Sequence, residues 1–255
     1  MIRKRIIPVL LLKNNGLYKG VGYDKYVYIG DPINAVKIFN DMEVDELIFL
    51  DIEASKNNNV ISQEFVEKLS EECFMPFSVG GGIKSIKDAK KLISAGAEKI
   101  ILNNWAIKMP ELITEISNSF GKQSVVVAID VKKNWLGKER VYRLSGKKSI
   151  KINLEEWVKE VEKRGAGEIL INSIEMDGKM SGYDVDLINR VTKSVSIPVI
   201  AGCGAGAVSH FIDAFKAGAE ACAGGSMFVF HGPRRGVLIN YPSKVERESL
   251  FNDDC

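Results

Sequence analysis

Glycine-rich turns in the sequence have the composition of loops that bind phosphate. Gly80-Gly81-Gly82 and Gly202–Gly206 each follow a short apolar run, and Gly224-Gly225-Ser226 follows a third. Because glycine has no side chain, the backbone N–H groups of such turns can approach an anion closely. The alternative is that these glycines only make tight turns between two elements. The first two turns occupy comparable positions, which favours a ligand with two phosphate groups, such as an elongated bisphosphate.

Carboxylates stand where other apolar runs end. Asp130 ends the wholly apolar run Val125–Ile129, Asp51 ends another, and Asp177 follows a third. At the rim of a fold, Asp130 is a candidate general acid or base. For Asp130 and Asp51 the alternative is a structural hydrogen bond to a neighbouring loop.

Charged residues of alternating sign occur at the opposite ends, where four apolar runs begin. They are Arg5, Glu46, Lys99 and Glu168. Charges at strand starts are ordinarily solvated, but four of alternating sign at one end of a barrel would form a ring of salt bridges. Lys19, in the long loop predicted over Lys13–Tyr28, is likewise either a phosphate ligand or a solvated lysine.

The apolar runs alternate with helix signals. Several runs have no polar interruption, which is typical of strands buried on both faces of a parallel sheet. Ser85, Pro110 and Asp184 mark helix starts, and Gly96 and Gly218 mark helix ends. Eight strands and at least seven helices predict a (β/α)8 barrel, with a doubly wound sheet as the alternative. The predicted strands are Arg5–Leu11, Glu46–Asp51, Pro76–Gly80, Lys99–Leu102, Ser124–Asp130, Glu168–Asn172, Pro198–Ala201 and Ala221–Ala223.

An internal repeat favours the barrel. Met75–Gly82 resembles Ile197–Gly204, and Ala95–Glu98 resembles Ala217–Glu220, both at an offset of 122 residues. A third pair of matching segments shares this offset, which is much longer than the repeats of solenoid proteins. We therefore expect two duplicated four-stranded half-barrels that close into a single barrel.

Composition limits the class of protein. The chain has 255 residues, 45% of them hydrophobic, and a net charge of +2, which excludes a disordered chain. No apolar run reaches the length of about 18 residues that a membrane span needs, and no basic block predicts nucleic-acid binding. The four cysteines and two histidines lack the spacing of a zinc site or a disulfide framework. We expect no metal, no cofactor and a cytoplasmic location.

Several motifs, in order and at the expected spacing, resemble the HisF family, the cyclase subunits of imidazole glycerol phosphate synthase. The resemblance covers roughly residues 1–229. It implies a (β/α)8 barrel that takes ammonia from a glutaminase docked at its N-terminal face and passes it to a sugar phosphate at the opposite face. The motifs are Arg5-Ile6-Ile7-Pro8, Lys19-Gly20, Gly30-Asp31-Pro32, Asp45-Glu46-Leu47, Leu50-Asp51-Ile52, Val79–Ile83, Ala128-Ile129-Asp130 and Gly165–Leu170.

The resemblance also implies roles for individual residues. Asp130 matches a catalytic position, and the four alternating charges match the gate through which ammonia enters the barrel floor. Together with the turns and strand ends above, it gives a set of substrate- and phosphate-binding residues. These are Lys19, Asp51, Gly81, Gly82, Asn103, Asn104, Asp177, Gly178, Gly204, Gly225 and Ser226.

Two departures from the family pattern point to a specialised branch. The family's catalytic aspartate on the first strand is Leu11 here, and leucine transfers no proton. Loss of a positioned acid or base typically costs about 10²- to 10⁴-fold in rate. After Phe230 the family's last helix is expected to be replaced by an atypical segment. Residues 1–230 would then form the barrel, with 231–255 part of the same domain or facing a partner.

This combination resembles HisF paralogues of surface-polysaccharide biosynthesis. In that branch a HisF-like and a HisH-like protein supply ammonia to a separate amidotransferase, which makes an acetamidino group on an N-acetylated sugar. The expected ligand is a phosphorylated or nucleotide-linked sugar, with no nucleic-acid or membrane partner. The alternatives are a histidine-pathway cyclase and a non-catalytic scaffold that activates the glutaminase.

Overall fold

The unbroken apolar runs form the strands of a closed parallel barrel in the computed structural model, which describes residues 4–252. Neighbouring barrel strands pair in parallel, and the last strand returns to the first, with Arg5 opposite Ala221. The (β/α)8 prediction is confirmed, and closure excludes the doubly wound alternative. The barrel strands are β1 (Arg5–Lys13), β2 (Leu47–Asp51), β3 (Phe77–Gly80), β4 (Lys99–Leu102), β5 (Val125–Lys133), β6 (Glu168–Ser173), β7 (Val199–Gly202) and β8 (Ala221–Gly224).

Helices surround the barrel and begin where their capping residues predict. The side chains of Ser85 and Asp184 accept hydrogen bonds from the backbone N–H groups of Asp88 and Leu187. These bonds satisfy donors that a helix start would otherwise leave unpaired. The helices are α1 (Pro32–Asp41), α2 (Gln63–Glu72), α3 (Ile86–Ser94), α4 (Asn104–Lys108), α5 (Glu111–Phe120), α6 (Leu154–Lys163), α7 (Val185–Thr192), α8 (Val208–Lys216), α9 (Ser226–Val229) and α10 (Lys244–Asn252).

The predicted duplication is visible in the element boundaries. The strands β3 and β7 start 122 residues apart, as do β4 and β8. The helix pairs α1 with α6 and α3 with α8 have the same offset and equal lengths. The two half-barrels therefore place equivalent loops on opposite sides of one barrel mouth.

Side chains inside the barrel form a small apolar core, separate from the main core between strands and helices. Every member is nearly or completely buried, so this core divides the polar floor of the barrel from the cavity at its mouth. Its members are Ile7, Ile48, Ile101, Val126, Ala128, Leu170, Ile200, Ala221 and Ala223.

Two β-hairpins rise from the barrel mouth, and the sequence predicted neither. The loop expected over Lys13–Tyr28 is wrong: this segment belongs to a first hairpin of strands Gly16–Val21 and Asp24–Gly30. A second hairpin, Glu139–Arg143 with Lys148–Ile150, pairs with the extended end of β5. Both were missed because their pairing depends on β1 and β5 continuing past the barrel, which no local pattern marks.

The C-terminal segment packs on the barrel. It contains a short hairpin, Phe230–His231 with Gly236–Val237, in the stretch expected to be atypical, and then the helix α10. The Tyr241 hydroxyl donates to the Ile6 carbonyl oxygen at 2.8 Å, and Arg247 donates to the Glu43 carbonyl oxygen at 2.9 Å. These contacts join the C-terminal segment to β1 and to the loop after α1.

No helix within residues 4–252 is long and apolar enough to cross a membrane. The histidine, cysteine and carboxylate side chains of the same residues form no group of three suited to a metal ion. Cys73, Cys203 and Cys222 are free thiols, and Cys255 lies outside the described residues.

Candidate active site and barrel floor

A cavity opens at the carboxyl ends of the barrel strands and measures about 1200 Å³, counting the part that is open to solvent. Strand ends, glycine turns and parts of both hairpins form its wall. This is the position where (β/α)8 enzymes bind their substrates. The structure brings together there the residues predicted to bind substrate or act in catalysis: Lys19, Asp51, Gly81, Gly82, Asn103, Asn104, Asp130, Asp177, Gly178, Gly204, Gly225 and Ser226.

Asp130 is buried at the centre of this cavity and accepts three side-chain hydrogen bonds. The Tyr23 hydroxyl and the Asn172 amide each donate to its Oδ1 at 3.0 Å, and the Asn103 amide donates to its Oδ2 at 3.1 Å. Burial raises the pKa of the Asp130 carboxyl, and the three hydrogen bonds act against that rise. A fixed carboxylate with a raised pKa suits a general base.

Lys19 is not a solvated lysine. It lies on the first hairpin, is 5% exposed, and donates to Asp177 Oδ1 at 2.7 Å. The same aspartate accepts the Tyr23 backbone N–H at Oδ2 (3.1 Å), and its carbonyl oxygen accepts the Gly22 N–H (3.0 Å). Asp177 therefore holds the first hairpin over the cavity.

The two glycine turns each contain a glycine with positive φ at the matching position. Gly82 has φ of +68° and Gly204 has φ of +110°, values that L-residues with side chains rarely adopt. A Cβ at Gly82 would collide with the Asn59 carbonyl oxygen, and one at Gly204 with the Gly182 carbonyl oxygen. Tight packing alone therefore requires glycine at both positions, whether or not a phosphate binds there.

The charged residues at the strand starts form a closed ring in the barrel floor. Arg5 is paired with Glu46 at 2.5 Å and with Glu168 at 2.7 Å. Lys99 is paired with the same two glutamates at 3.1 and 3.2 Å. Glu46, only 2% exposed, also accepts a hydrogen bond from Ser78. These four residues, the floor ring, are mutually paired rather than solvated.

Comparison with known proteins places this geometry in a family. The "Histidine biosynthesis protein" family model matches residues 5–233. The protein named "Putative imidazole glycerol phosphate synthase subunit hisF2" in Pseudomonas aeruginosa is 46% identical over 243 residues, which are 95% of this chain and 97% of that protein. "Imidazole glycerol phosphate synthase subunit HisF" of Thermotoga sp. is 45% identical over 230 residues, 90% of each chain. The chain belongs to the HisF family.

Leu11 lies where the HisF resemblance puts a catalytic aspartate. It is on β1, opposite Leu50 of β2, and lines the cavity. An apolar side chain therefore faces the ligand space from the strand where the family pattern has an acid. Of the other carboxylates of the cavity, Asp177 is paired with Lys19, and Asp51 accepts hydrogen bonds within its own turn. Asp51 Oδ1 accepts the backbone N–H groups of Glu53 and Ala54, each at 2.9 Å.

Several cavity residues escaped the sequence analysis. Asn172 of β6 lies opposite Asp130 of β5, and both follow an apolar run, so the rule that found the aspartates would have found it. Tyr23 lies in a hairpin turn with no sequence signal. Cys203 lies within the turn Gly202–Gly206, which was singled out for its glycines alone, and burial raises the pKa of its thiol. Arg143, in the second hairpin, donates to Asn104 Oδ1 at 2.8 Å.

Proposed function

We propose that this chain is a HisF-type synthase subunit that receives ammonia from a HisH-like glutaminase at the barrel floor. Ammonia passes through the barrel to a sugar ligand in the cavity, for amination or amidination in surface-polysaccharide biosynthesis. A separate amidotransferase completes the system. One observation favours the polysaccharide pathway over histidine biosynthesis. Leu11 occupies the place in the cavity wall where the family resemblance puts a catalytic aspartate, whereas the floor ring retains all four charges.

The floor ring and the apolar core above it support passage of neutral ammonia. The ring has two positive and two negative side chains, so its net charge is zero, and its mutual ion pairs close the floor. Ile7, Ile48 and Leu170 belong to the core that ammonia must cross. An apolar passage disfavours ammonium and other ions because it cannot replace their hydration. Opening therefore requires one ring residue to release its partners.

In the cavity, Asp130 is the acid/base group that remains. As the ammonia nitrogen adds to an electrophilic carbonyl carbon of the ligand, the π electrons of the C=O bond move to its oxygen and the nitrogen becomes positively charged. The Asp130 carboxylate takes one proton from this nitrogen and gives it to the oxygen, which leaves a carbinolamine and an ionised Asp130. A chemistry that needs one proton acceptor fits this cavity better than a ring closure that uses two carboxylates.

The second candidate is the histidine-pathway cyclase, which converts a ribulosyl bisphosphate intermediate and ammonia into imidazole glycerol phosphate and an aminoimidazole carboxamide ribotide. It is favoured by the names of the relatives and by the cavity position of Asp130. The third candidate is a scaffold that only activates the glutaminase. Such a scaffold would not need a buried, hydrogen-bonded Asp130 that faces the cavity.

The experiment is genetic, so that the cell supplies the acceptor. The gene is deleted in the source organism, and amide-15N glutamine is fed to the cells. We expect loss of glutamine-derived 15N from the surface polysaccharide, with growth without histidine unaffected. A histidine requirement with normally labelled polysaccharide would overturn the proposal in favour of the cyclase.

Restoring the gene as Lys99→Ala tests the floor ring. The variant removes two of the ion pairs, so we expect glutamine hydrolysis to continue while 15N transfer to the polysaccharide falls. The matched control is Lys90→Ala, which removes an exposed lysine of α3 and should restore labelling fully. Equal labelling by both variants would show that the ring has no part in ammonia transfer.

A further inference from the structure

The positive charge of this chain is concentrated in one segment beside the cavity mouth. Residues 131–151, the basic arm, contain eight lysines and arginines and one glutamate, which gives a net charge of +7. The whole chain carries +2, so all its other residues together carry −5. The arm consists of the last three residues of β5, the second hairpin and the turns that join them. Its cations are Lys132, Lys133, Lys138, Arg140, Arg143, Lys147, Lys148 and Lys151.

The charge of the basic arm is not neutralised by its neighbours. The one glutamate of the arm, Glu139, is paired with Arg190 of α7 at 2.7 Å. None of the six lysines forms an ion pair among residues 4–252. On neighbouring strands, Lys132 lies directly opposite Arg140. Like charges in such positions destabilise a sheet, so the arm keeps a charge that its own folding disfavours.

The turn at the end of β5 adds an exposed apolar tip to the basic arm. Trp135 and Leu136 lie in this turn and are 91% and 59% exposed. Trp135 is the most exposed large hydrophobic side chain of the described residues. Asn134 fixes the turn, because its Oδ1 accepts the backbone N–H groups of Leu136 and Lys138 at 3.0 and 2.9 Å. The arm therefore presents an indole and a leucine to the outside from a defined turn, with lysines on both sides.

We propose that the basic arm binds the surface of an anionic lipid membrane, with Trp135 and Leu136 among the headgroups and the lysines against lipid phosphates. Tryptophan favours the boundary between headgroups and acyl chains, and clusters of about four to eight lysines and arginines bind anionic lipid. The composition of the arm favours lipid over a protein partner: six of its eight cations are lysines, and protein interfaces are enriched in arginine but depleted in lysine. A single indole beside a leucine is also a poor platform for stacking successive bases of a nucleic acid.

Contact through the basic arm turns the cavity mouth toward the lipid. Leu144 and Ser145, in the turn of the second hairpin, line the cavity, whereas the floor ring lies at the opposite end of the barrel. A partner at the floor and a membrane at the arm therefore do not compete. The proposal departs from the expectation of no membrane partner, because the cations come together only when the two strands of the second hairpin fold beside β5.

The test measures how the full chain sediments with lipid vesicles. At low salt, vesicles of phosphatidylcholine with one third phosphatidylglycerol should carry the chain down, whereas vesicles of pure phosphatidylcholine should not. The double variant Lys132→Gln/Lys133→Gln should bind the anionic vesicles about tenfold or more weakly. Its matched control is Lys90→Gln/Lys91→Gln, which removes two adjacent exposed lysines of α3 and should bind as the unaltered chain does.

Trp135 provides a second readout. Trp135→Ala should weaken vesicle binding by about tenfold, whereas Phe74→Ala, which removes an exposed aromatic side chain at the floor end of the barrel, should leave it unchanged. Indole fluorescence of the unaltered chain should shift to shorter wavelength when anionic vesicles are added. This shift should vanish in Trp135→Ala, because Trp105 is half-buried and Trp157 is buried.

No sedimentation with the anionic vesicles, or equal sedimentation with both kinds, would overturn the inference. An equal loss of binding in the α3 control would do the same, since the overall charge of the chain would then explain the binding. Binding of a single-stranded oligonucleotide through the same lysines, without binding to vesicles, would contradict it in favour of a nucleic acid. None of these readouts involves ammonia or a sugar ligand, so the proposed function and the membrane contact can fail separately.

Discussion

Tyr23 adjusts how readily Asp130 gives up its proton. Burial raises the pKa of Asp130, and hydrogen bonds from Asn172, Tyr23 and Asn103 lower it. Tyr23→Phe removes one of these bonds, so the pKa of Asp130 should rise further. The measurement is a 13C NMR titration of protein labelled at the aspartate carboxyl carbon. Tyr26→Phe, a second cavity tyrosine without a hydrogen bond to Asp130, is the matched control. An unchanged titration midpoint in Tyr23→Phe would show that this hydroxyl does not set the charge of the base.

The raised pKa of Asp130 also has a consequence for stability. The native carboxyl binds its proton more tightly than the unfolded one, whose pKa is about 3.8. Its contribution to the unfolding free energy is therefore most favourable below that value and is lost as the pH rises through the native pKa. At neutral pH the buried charge opposes folding, as functional residues often do.

At the residue scale, the sequence identified a candidate site residue when that residue begins or follows an apolar run. Asp130 and Asp177 were recognisable because each follows an apolar run, and parallel strands bring such ends to one face. The ring of Arg5, Glu46, Lys99 and Glu168 followed from the same reasoning at the other face. Tyr23 and Arg143 could not be found, because they reach the cavity only through the folding of two hairpins.

At the scale of elements, Asp177 controls whether the first hairpin covers the cavity. Asp177→Asn removes the charge that pairs with buried Lys19, and breaking a buried pair costs about 3–5 kcal/mol. We expect the hairpin to detach locally, with faster amide hydrogen exchange at Gly22 and Tyr23 and little change in the barrel strands. Asp24→Asn, an exposed aspartate of the same hairpin, is the control. Unaltered exchange at Gly22 and Tyr23 in Asp177→Asn would mean that other contacts hold the hairpin closed.

Barrel elements were predictable because their patterns are strong and local. The ends of the barrel strands were predicted to within three residues. Unbroken apolar runs bounded by glycine or by charged residues leave little choice of where a strand begins and ends. Ser85 and Asp184 marked helix starts through a side chain that has one clear partner. The hairpins and α10 lack such signals: their residues are mostly exposed, and their pairing is fixed by contacts with distant parts of the chain.

At the scale of the whole molecule, the barrel has two distinct ends, and the duplication of the half-barrels explains how its mouth is arranged. Equivalent loops from the two halves carry the glycine turns to opposite sides of one mouth, and the interior core separates that mouth from the floor ring. The C-terminal segment reaches both ends. Arg235 contacts Gly178 at the mouth, and Tyr241 contacts Ile6 next to Arg5 of the ring. The C-terminal segment therefore touches both ends of the barrel.

We propose that this HisF-family chain handles ammonia without being the histidine-pathway cyclase, because Leu11 stands where the family resemblance puts a catalytic aspartate. The direct measurement gives the purified chain the ribulosyl bisphosphate intermediate and a high concentration of ammonium salt near pH 8.5, which bypasses the glutaminase. Formation of imidazole glycerol phosphate is followed for the unaltered chain and for Leu11→Asp. We predict no turnover by the unaltered chain above the protein-free background, and a rate for Leu11→Asp that exceeds this background by about 10²-fold or more. Turnover by the unaltered chain would contradict the account and make the protein a true cyclase.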